Sequence, residues 1–194
     1  MPTFVPPDNV SSTGLLAFSL IELIVTVAMV GIISAIAVPR FSRGASHAYS
    51  QATADDLAIL RRQIELYAIE HGGTYPAYYG DGSNAAHSEA AFLSQMMSYS
   101  NADGRTSAAP AAGYRYGPYL RQAMPALKLG PKAGFSTVYV VTGETALTYH
   151  PAEDAGWLYN DTTGEINVNA PDSIWTSLLS GAVLVGGEAE VIGP

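Results

Sequence analysis

The chain is 194 residues long, carries a net charge of −8, contains no cysteine and is 48% hydrophobic. That length leaves room for one domain of ordinary size beside a leader and an apolar helix. The negative charge argues against a head that binds nucleic acid, and the lack of cysteine excludes disulfides and thiolate metal sites.

Residues 1–17, MPTFVPPDNVSSTGLLA, read as a removable leader rather than part of the fold. Residues 18–38, FSLIELIVTVAMVGIISAIAV, follow with a single formal charge, Glu22, and no proline before Pro39. At ~1.5 Å of rise per residue this helix covers roughly 30 Å, the thickness of a bilayer's hydrocarbon core. A soluble core helix would keep one polar face. Here Leu, Ile, Val, Ala and Met run all round, interrupted only by small Ser, Thr and Gly, which predicts a membrane span. Burying an unpaired carboxylate in such a helix costs several kcal/mol, so Glu22 has a partner, stays protonated, or reaches water at the interface.

Residues 39–71 continue the helix in amphipathic form. Leu57, Leu60, Ile64 and Tyr67 recur at three- and four-residue spacing, flanked by Ala54, Ala58 and Ala68. Arg61 and Glu65, at i,i+4, are expected to pair on the opposite side. Gly72-Gly73 ends the helix and Pro76 prevents its early return. The head is expected over residues 72–172. Within it, SEAAFLSQMMSY (88–99) predicts a short helix capped by Ser88, with acidic Glu89 in its first turn and Phe92, Leu93, Met96 and Met97 inward. The adjacent methionines read as core filler rather than a metal site. Residues 101–113 predict a loop. FSTVYVVT (135–142) is a strand candidate, and a weaker strand is expected over 146–149. Residues 156–169 predict a β-hairpin turning at Asp161-Thr-Thr-Gly164, with Trp157, Tyr159, Ile166 and Val168 alternating onto one face toward the long helix. The tail, residues 173–194, is compatible with a short helix and a final strand, or with disorder.

The run Ala17-Phe18-Ser19-Leu20-Ile21-Glu22 closely resembles the processing motif of the type IV pilin and type II secretion pseudopilin family. The resemblance implies prepilin-peptidase cleavage between Ala17 and Phe18, N-methylation of Phe18, and Glu22 as the fifth residue of the mature chain. Pro39 falls where many members have a proline that bends or loosens the helix. IELYAIEHGGTYPA and GPYL (117–120) resemble the family's helix end and its entry into the sheet. The implied fold is α+β: a long N-terminal helix packed on a small antiparallel sheet. The implied function is structural rather than enzymatic. The subunit is held in the inner membrane by a single pass, with its head in the periplasm, and polymerises with an assembly platform and other pseudopilins, serving type II secretion or else a type IV pilus or competence system.

The assembly logic is physical. Cleavage exposes an α-amino group, which ordinarily titrates near pH ~8, and N-methylation keeps its charge. Paired with Glu22 of a neighbouring subunit, it turns two charges costly in lipid into one register-setting contact. The leader holds no Lys or Arg, and the nearest cations, Arg40 and Arg43, lie beyond the span. Positive-inside bias alone gives the opposite orientation, and the processing motif takes precedence over it.

Other chemistry is sparse. His47, His71, His87 and His150 share no metal-ligand spacing and are expected at the surface. No G-x-S-x-G elbow, nucleotide-binding glycine motif or internal repeat occurs. Asp81-Gly-Ser-Asn and Asp103-Gly read as turns. The acidic C-terminal calcium loop of the family's major secretion pseudopilin is missing. Glu153, Asp154, Asp161 and Asp172 are the available oxygens, no calcium ligands are assigned, and no cofactor is expected. Two competing readings are a membrane-tethered binding or enzymatic domain, which has no need of residues 17–22, and a secreted protein cleaved after Ser34-Ala-Ile-Ala37.

Overall fold

The computed structural model describes residues 19–180, 183–185 and 188–190, with side chains over 19–37 and 45–176. Among these residues, three helices and three small sheets make a mixed α and β structure. The chain divides into two units, Met1–Phe41 and Ser42–Pro194.

Helix α1 runs Leu20–Glu70 and remains helical through Pro39. Its second half buries Leu57, Leu60, Ile64, Tyr67 and Ala68, the stripe that three- and four-residue spacing predicts. The helix stops as expected: Gly72 and Gly73 take positive φ (66° and 88°), and the Gly73 amide reaches back 2.8 Å to the Ala68 carbonyl. Helix α2, Glu89–Met97, starts at Ser88, whose hydroxyl accepts the Ala91 amide at 3.2 Å. It buries Phe92 and Met96 and leaves Met97 exposed, contrary to the expectation that both methionines point inward. A hydrophobic stripe on a nine-residue helix is narrow, and adjacent residues lie ~100° apart around it.

Strands β1, Tyr99–Ser100, and β2, Thr106–Ser107, pair antiparallel; β2 lies inside the segment predicted as loop, and β1 takes Tyr99 from the end of the helix expected over 88–99. Strands β3, Val138–Val141, β4, Trp157–Asn160, and β5, Ile166–Val168, form the main sheet, ordered β3-β4-β5. The β4–β5 hairpin forms as predicted: Trp157 faces Val168 and Tyr159 faces Ile166, and all four are fully buried. Burying the two large aromatics leaves no stranded donor, because Trp157 Nε1 reaches the Pro125 carbonyl at 2.8 Å and the Tyr159 hydroxyl that of Pro76 at 3.0 Å.

Two sheet expectations are corrected. Strand β3 runs parallel to β4, so the sheet is mixed rather than wholly antiparallel. A parallel neighbour needs a crossover, and residues 142–156 supply it. The strand expected over 146–149 does not form. The crossover's polar groups are met by side chains instead. Asn160 Nδ2 donates to the Gly143 and Thr145 carbonyls, both at 2.8 Å, and Asn169 Oδ1 accepts the His150 amide at 2.9 Å. Those bonds replace a ladder, while Leu147 anchors the segment in the interior.

The expected Arg61–Glu65 pair is also absent. The Arg61 guanidinium donates instead to the Ile166 carbonyl at 3.3 Å, and Glu65 accepts the Tyr75 hydroxyl at 3.2 Å. Both side chains find partners across the fold that an isolated helix lacks. In the tail, α3 spans Asp172–Ser180, and β6, Val183–Val185, pairs antiparallel with β7, Glu188–Glu190. Trp175 ties α3 to the sheet by donating from Nε1 to the Val168 carbonyl at 2.9 Å.

Candidate functional site

Ala17 and Phe18, the proposed cleavage pair, lie outside the described residues, as does the whole leader. Ser19 is the first residue described, and its carbonyl accepts the Leu23 amide at 3.1 Å, the opening bond of α1. Glu22 lies in the first turn, where unpaired amides and the helix dipole favour a negative charge. It is exposed, and its carboxylate makes no hydrogen bond or ion pair to another described residue.

Around Glu22 the helix is apolar apart from Ser19 and Thr26, one turn to either side of it. Residues 19–36 are all exposed, among them Leu20 at 74%, Ile21 at 65% and Leu23 at 55%. The segment Leu20–Ala37 has a mean hydropathy of 2.5 and none of it is buried. It is long and apolar enough to cross a membrane, as a span or as a signal sequence. An apolar cylinder of that size needs lipid or other helices around it. Its hydroxyls suit such surroundings where they are self-satisfied: Thr26 Oγ1 donates to the Leu23 carbonyl at 2.9 Å. Pro39 lies within α1, well down the helix from Glu22, so these two are not brought together.

Histidine placement departs from expectation. His71 is buried, stacked on Tyr67 with ring centroids 3.8 Å apart. Its Nδ1 donates to the Tyr67 carbonyl at 2.8 Å, and Nε2 lies 3.0 Å from the Ser100 hydroxyl, which donates to it in the neutral ring. The reason is positional: at the end of the buried stripe, four residues after Tyr67, His71 faces the head. His87 is half exposed but tied through Nδ1 to the buried Asp161 carboxylate at 2.7 Å. His47 is exposed and His150 is intermediate.

The acidic oxygens considered for calcium are committed elsewhere or dispersed. Asp161 holds His87, and Asp154 lies 3.4 Å from Lys132 Nζ. Among the described residues no group of three His, Cys, Asp or Glu is placed to hold a metal. Asp81 behaves as the turn residue expected. Its carboxylate accepts the Ser83 and Asn84 amides at 2.8 and 2.6 Å and the Asn84 side chain at 2.8 Å. Burial opposes its ionisation, but hydrogen bonds from Ser94, Asn84 and Ser83 outweigh that and hold the carboxyl at about 2.

A cavity of about 240 Å³ at the end of α1 has no counterpart in the sequence pattern; Tyr67, Thr74, Tyr75, Tyr79, Gln95 and Asp103 are among the residues that line it. Only the tyrosines, close together in the chain, hint at it. Gln95 and Asp103 join them through the packing of α2 and the β1–β2 hairpin.

Comparison with protein families, curated proteins and solved structures finds no match to this chain.

Proposed function

We propose that this chain is a pilin-like structural subunit, cleaved by prepilin peptidase between Ala17 and Phe18 and polymerised through its N-terminal helix, serving type II protein secretion. The observation that carries this reading is the joint placement of Glu22 and bare apolar surface. A lone carboxylate stands in the first turn of a helix whose first half is exposed on every side, four residues after Phe18. A plain anchor has no use for a carboxylate at that depth. A filament does, because the ammonium of a neighbour's Phe18 neutralises it and sets the register.

The second half of α1 adds support. Ile59, Leu66 and Ile69 are exposed at 54%, 42% and 76% and lie on the side of the helix opposite the buried Leu60, Ile64 and Tyr67. One face is used by the head, and the other offers apolar surface to another subunit. In this reading the chain is a single-pass inner-membrane protein with its head in the periplasm. The peptidase, the membrane assembly platform and other pseudopilins are its partners, and no catalysis is involved.

The test is intact-mass and N-terminal peptide analysis of protein extracted from its native membrane. A chain beginning at N-methyl-Phe18 is expected, and Ala17→Trp should abolish that processing. A chain retaining Met1, or one beginning after Ala37, overturns the proposal.

A further inference from the structure

The cavity at the end of α1 is chemically lopsided, and its free groups define what fits. Several polar neighbours are already satisfied. Gln95 Oε1 accepts the Ala77 amide at 2.6 Å, and its Nε2 donates to the Gly104 and Tyr79 carbonyls at 2.9 and 3.3 Å. Both ring nitrogens of His71 are used, and the Tyr75 hydroxyl is given to Glu65. What remains is the hydroxyl of Tyr67, the carboxylate of Asp103, the hydroxyl of Thr74, and the rings of Tyr75 and Tyr79.

Tyr67 is the telling group. It is only 1% exposed, lines the cavity, and its hydroxyl has no hydrogen-bond partner among the described residues. The hydroxyl is open to the cavity rather than sealed off, so water or a ligand can reach it and bond to it there. Gly104 keeps the hydroxyl accessible: a Cβ there would lie 2.7 Å from Tyr67 Oη and 3.1 Å from Gln95 Nε2. Burial, with the charge of Asp81 behind it, pushes the Tyr67 phenol upward, so it stays neutral and can both donate and accept.

The electrostatics then choose the ligand. Among the described residues no Lys or Arg lines the cavity, Asp103 does, and Asp81 and Glu65 stand behind its walls. Anions are repelled. Asp103 is exposed at the cavity's rim, so its carboxylate is solvated but remains an attractive partner for a cation. An ammonium group can pair with it, donate to Tyr67 and Thr74, and gain from the tyrosine rings, which a neutral polyol cannot match. The volume matches about eight waters at ~30 Å³ each, enough for an alkylammonium head and short stem but small for a drug-sized ligand.

We propose that this cavity is a binding site for a primary alkylammonium group, supplied by a free amine or by a lysine side chain of another polypeptide. This goes beyond the filament reading and is independent of it, since that reading rests on Glu22.

The experiment is an NMR titration of the isotope-labelled full chain in detergent with n-butylammonium chloride at constant ionic strength. Expected are saturable shifts confined to residues 67–79 and 95–104. Asp103→Asn should weaken binding about tenfold and Tyr67→Phe several-fold, with the Trp157 indole resonance unchanged as proof of folding. Blocked lysine tested in parallel separates the sources: tighter binding than butylammonium points to a polypeptide side chain, weaker binding to a free amine. An equal response to n-butanol or glucose, undiminished binding in Asp103→Asn, or the absence of saturable shifts overturns the proposal.

Discussion

Asp81 shows how much one side chain can organise. Two backbone amides, an asparagine side chain and the Thr106 hydroxyl converge on its carboxylate, closing the turn and tying it to β2. Its carboxyl is depressed from 3.8 to about 2, and Asp81 is only 2% exposed, so the linkage is to folding. A depressed carboxyl contributes stability that is fully present above the unfolded value and lost as pH falls through the folded one. About 2 kcal/mol should therefore disappear between pH ~4 and pH ~2, read as a falling urea midpoint, and Asp81→Asn should flatten that limb. Asn160 has a comparable reach. Its amide bridges the crossover carbonyls of Gly143 and Thr145, and its Oδ1 accepts the Thr162 and Thr163 amides at 2.8 and 3.1 Å. At about 1 kcal/mol per bond, Asn160→Ala should cost roughly 2–4 kcal/mol in chemical denaturation. The turn role of Asp81 is legible in Asp-Gly-Ser-Asn. The bridging role of Asn160 is not, because its carbonyl partners lie in a crossover whose residues carry the pattern of a strand.

At the scale of elements, the second half of α1 has one buried face and one exposed apolar face. Ile64 is fully buried, so Ile64→Ala should cost about 2–5 kcal/mol of stability by leaving a cavity. Ile69 is 76% exposed, so Ile69→Ala should stay within about 0.5 kcal/mol of the parent. If that outer face joins subunits, Ile69→Ala should still reduce sedimentable filament, which a stability assay alone would not detect. Helix α2 is similarly bound to its surroundings. Glu89 favours its first turn and also accepts the Val138 amide at 2.9 Å, satisfying a donor on the edge strand β3. Propensity and periodicity located α1, α2 and the β4–β5 hairpin because each carries its own signal: a stripe, a cap, a turn. The direction of β3 has no local signal at all. Nothing in four β-branched and aromatic residues distinguishes a parallel neighbour from an antiparallel one.

At the scale of the whole molecule, among the described residues, the first half of α1 is bare, whereas the unit Ser42–Pro194 holds a dense core. The first half of α1 exposes Val25, Val27, Met29, Val30, Ile32, Ile33 and Ile36, while the core fully buries Trp157, Tyr159 and Phe92 together with Ile64 from the second half of α1. The contrast locates the unmet hydrophobic demand in the first half of α1, where lipid or other helices must cover it; in the proposed filament, neighbouring subunits do so. Glu22→Ala should accordingly leave processing intact and the head's stability unchanged, yet sharply reduce incorporation into filaments. Immunoblotting of sheared filaments against total membrane protein checks this, and undiminished incorporation would remove Glu22 from the assembly mechanism.

The sequence by itself determined the apolar helix with its single carboxylate, the stripe on which the head packs, the glycine stop and the hairpin. All of these are encoded by residues close together in the chain, where period, charge and turn chemistry act locally. Only the tertiary structure decided the parallel β3–β4 pairing, the burial of His71, the side-chain bridging of the crossover and the cavity around Tyr67. Each of those depends on groups tens of residues apart, and their meeting is set by how α1, α2 and the sheet share one core.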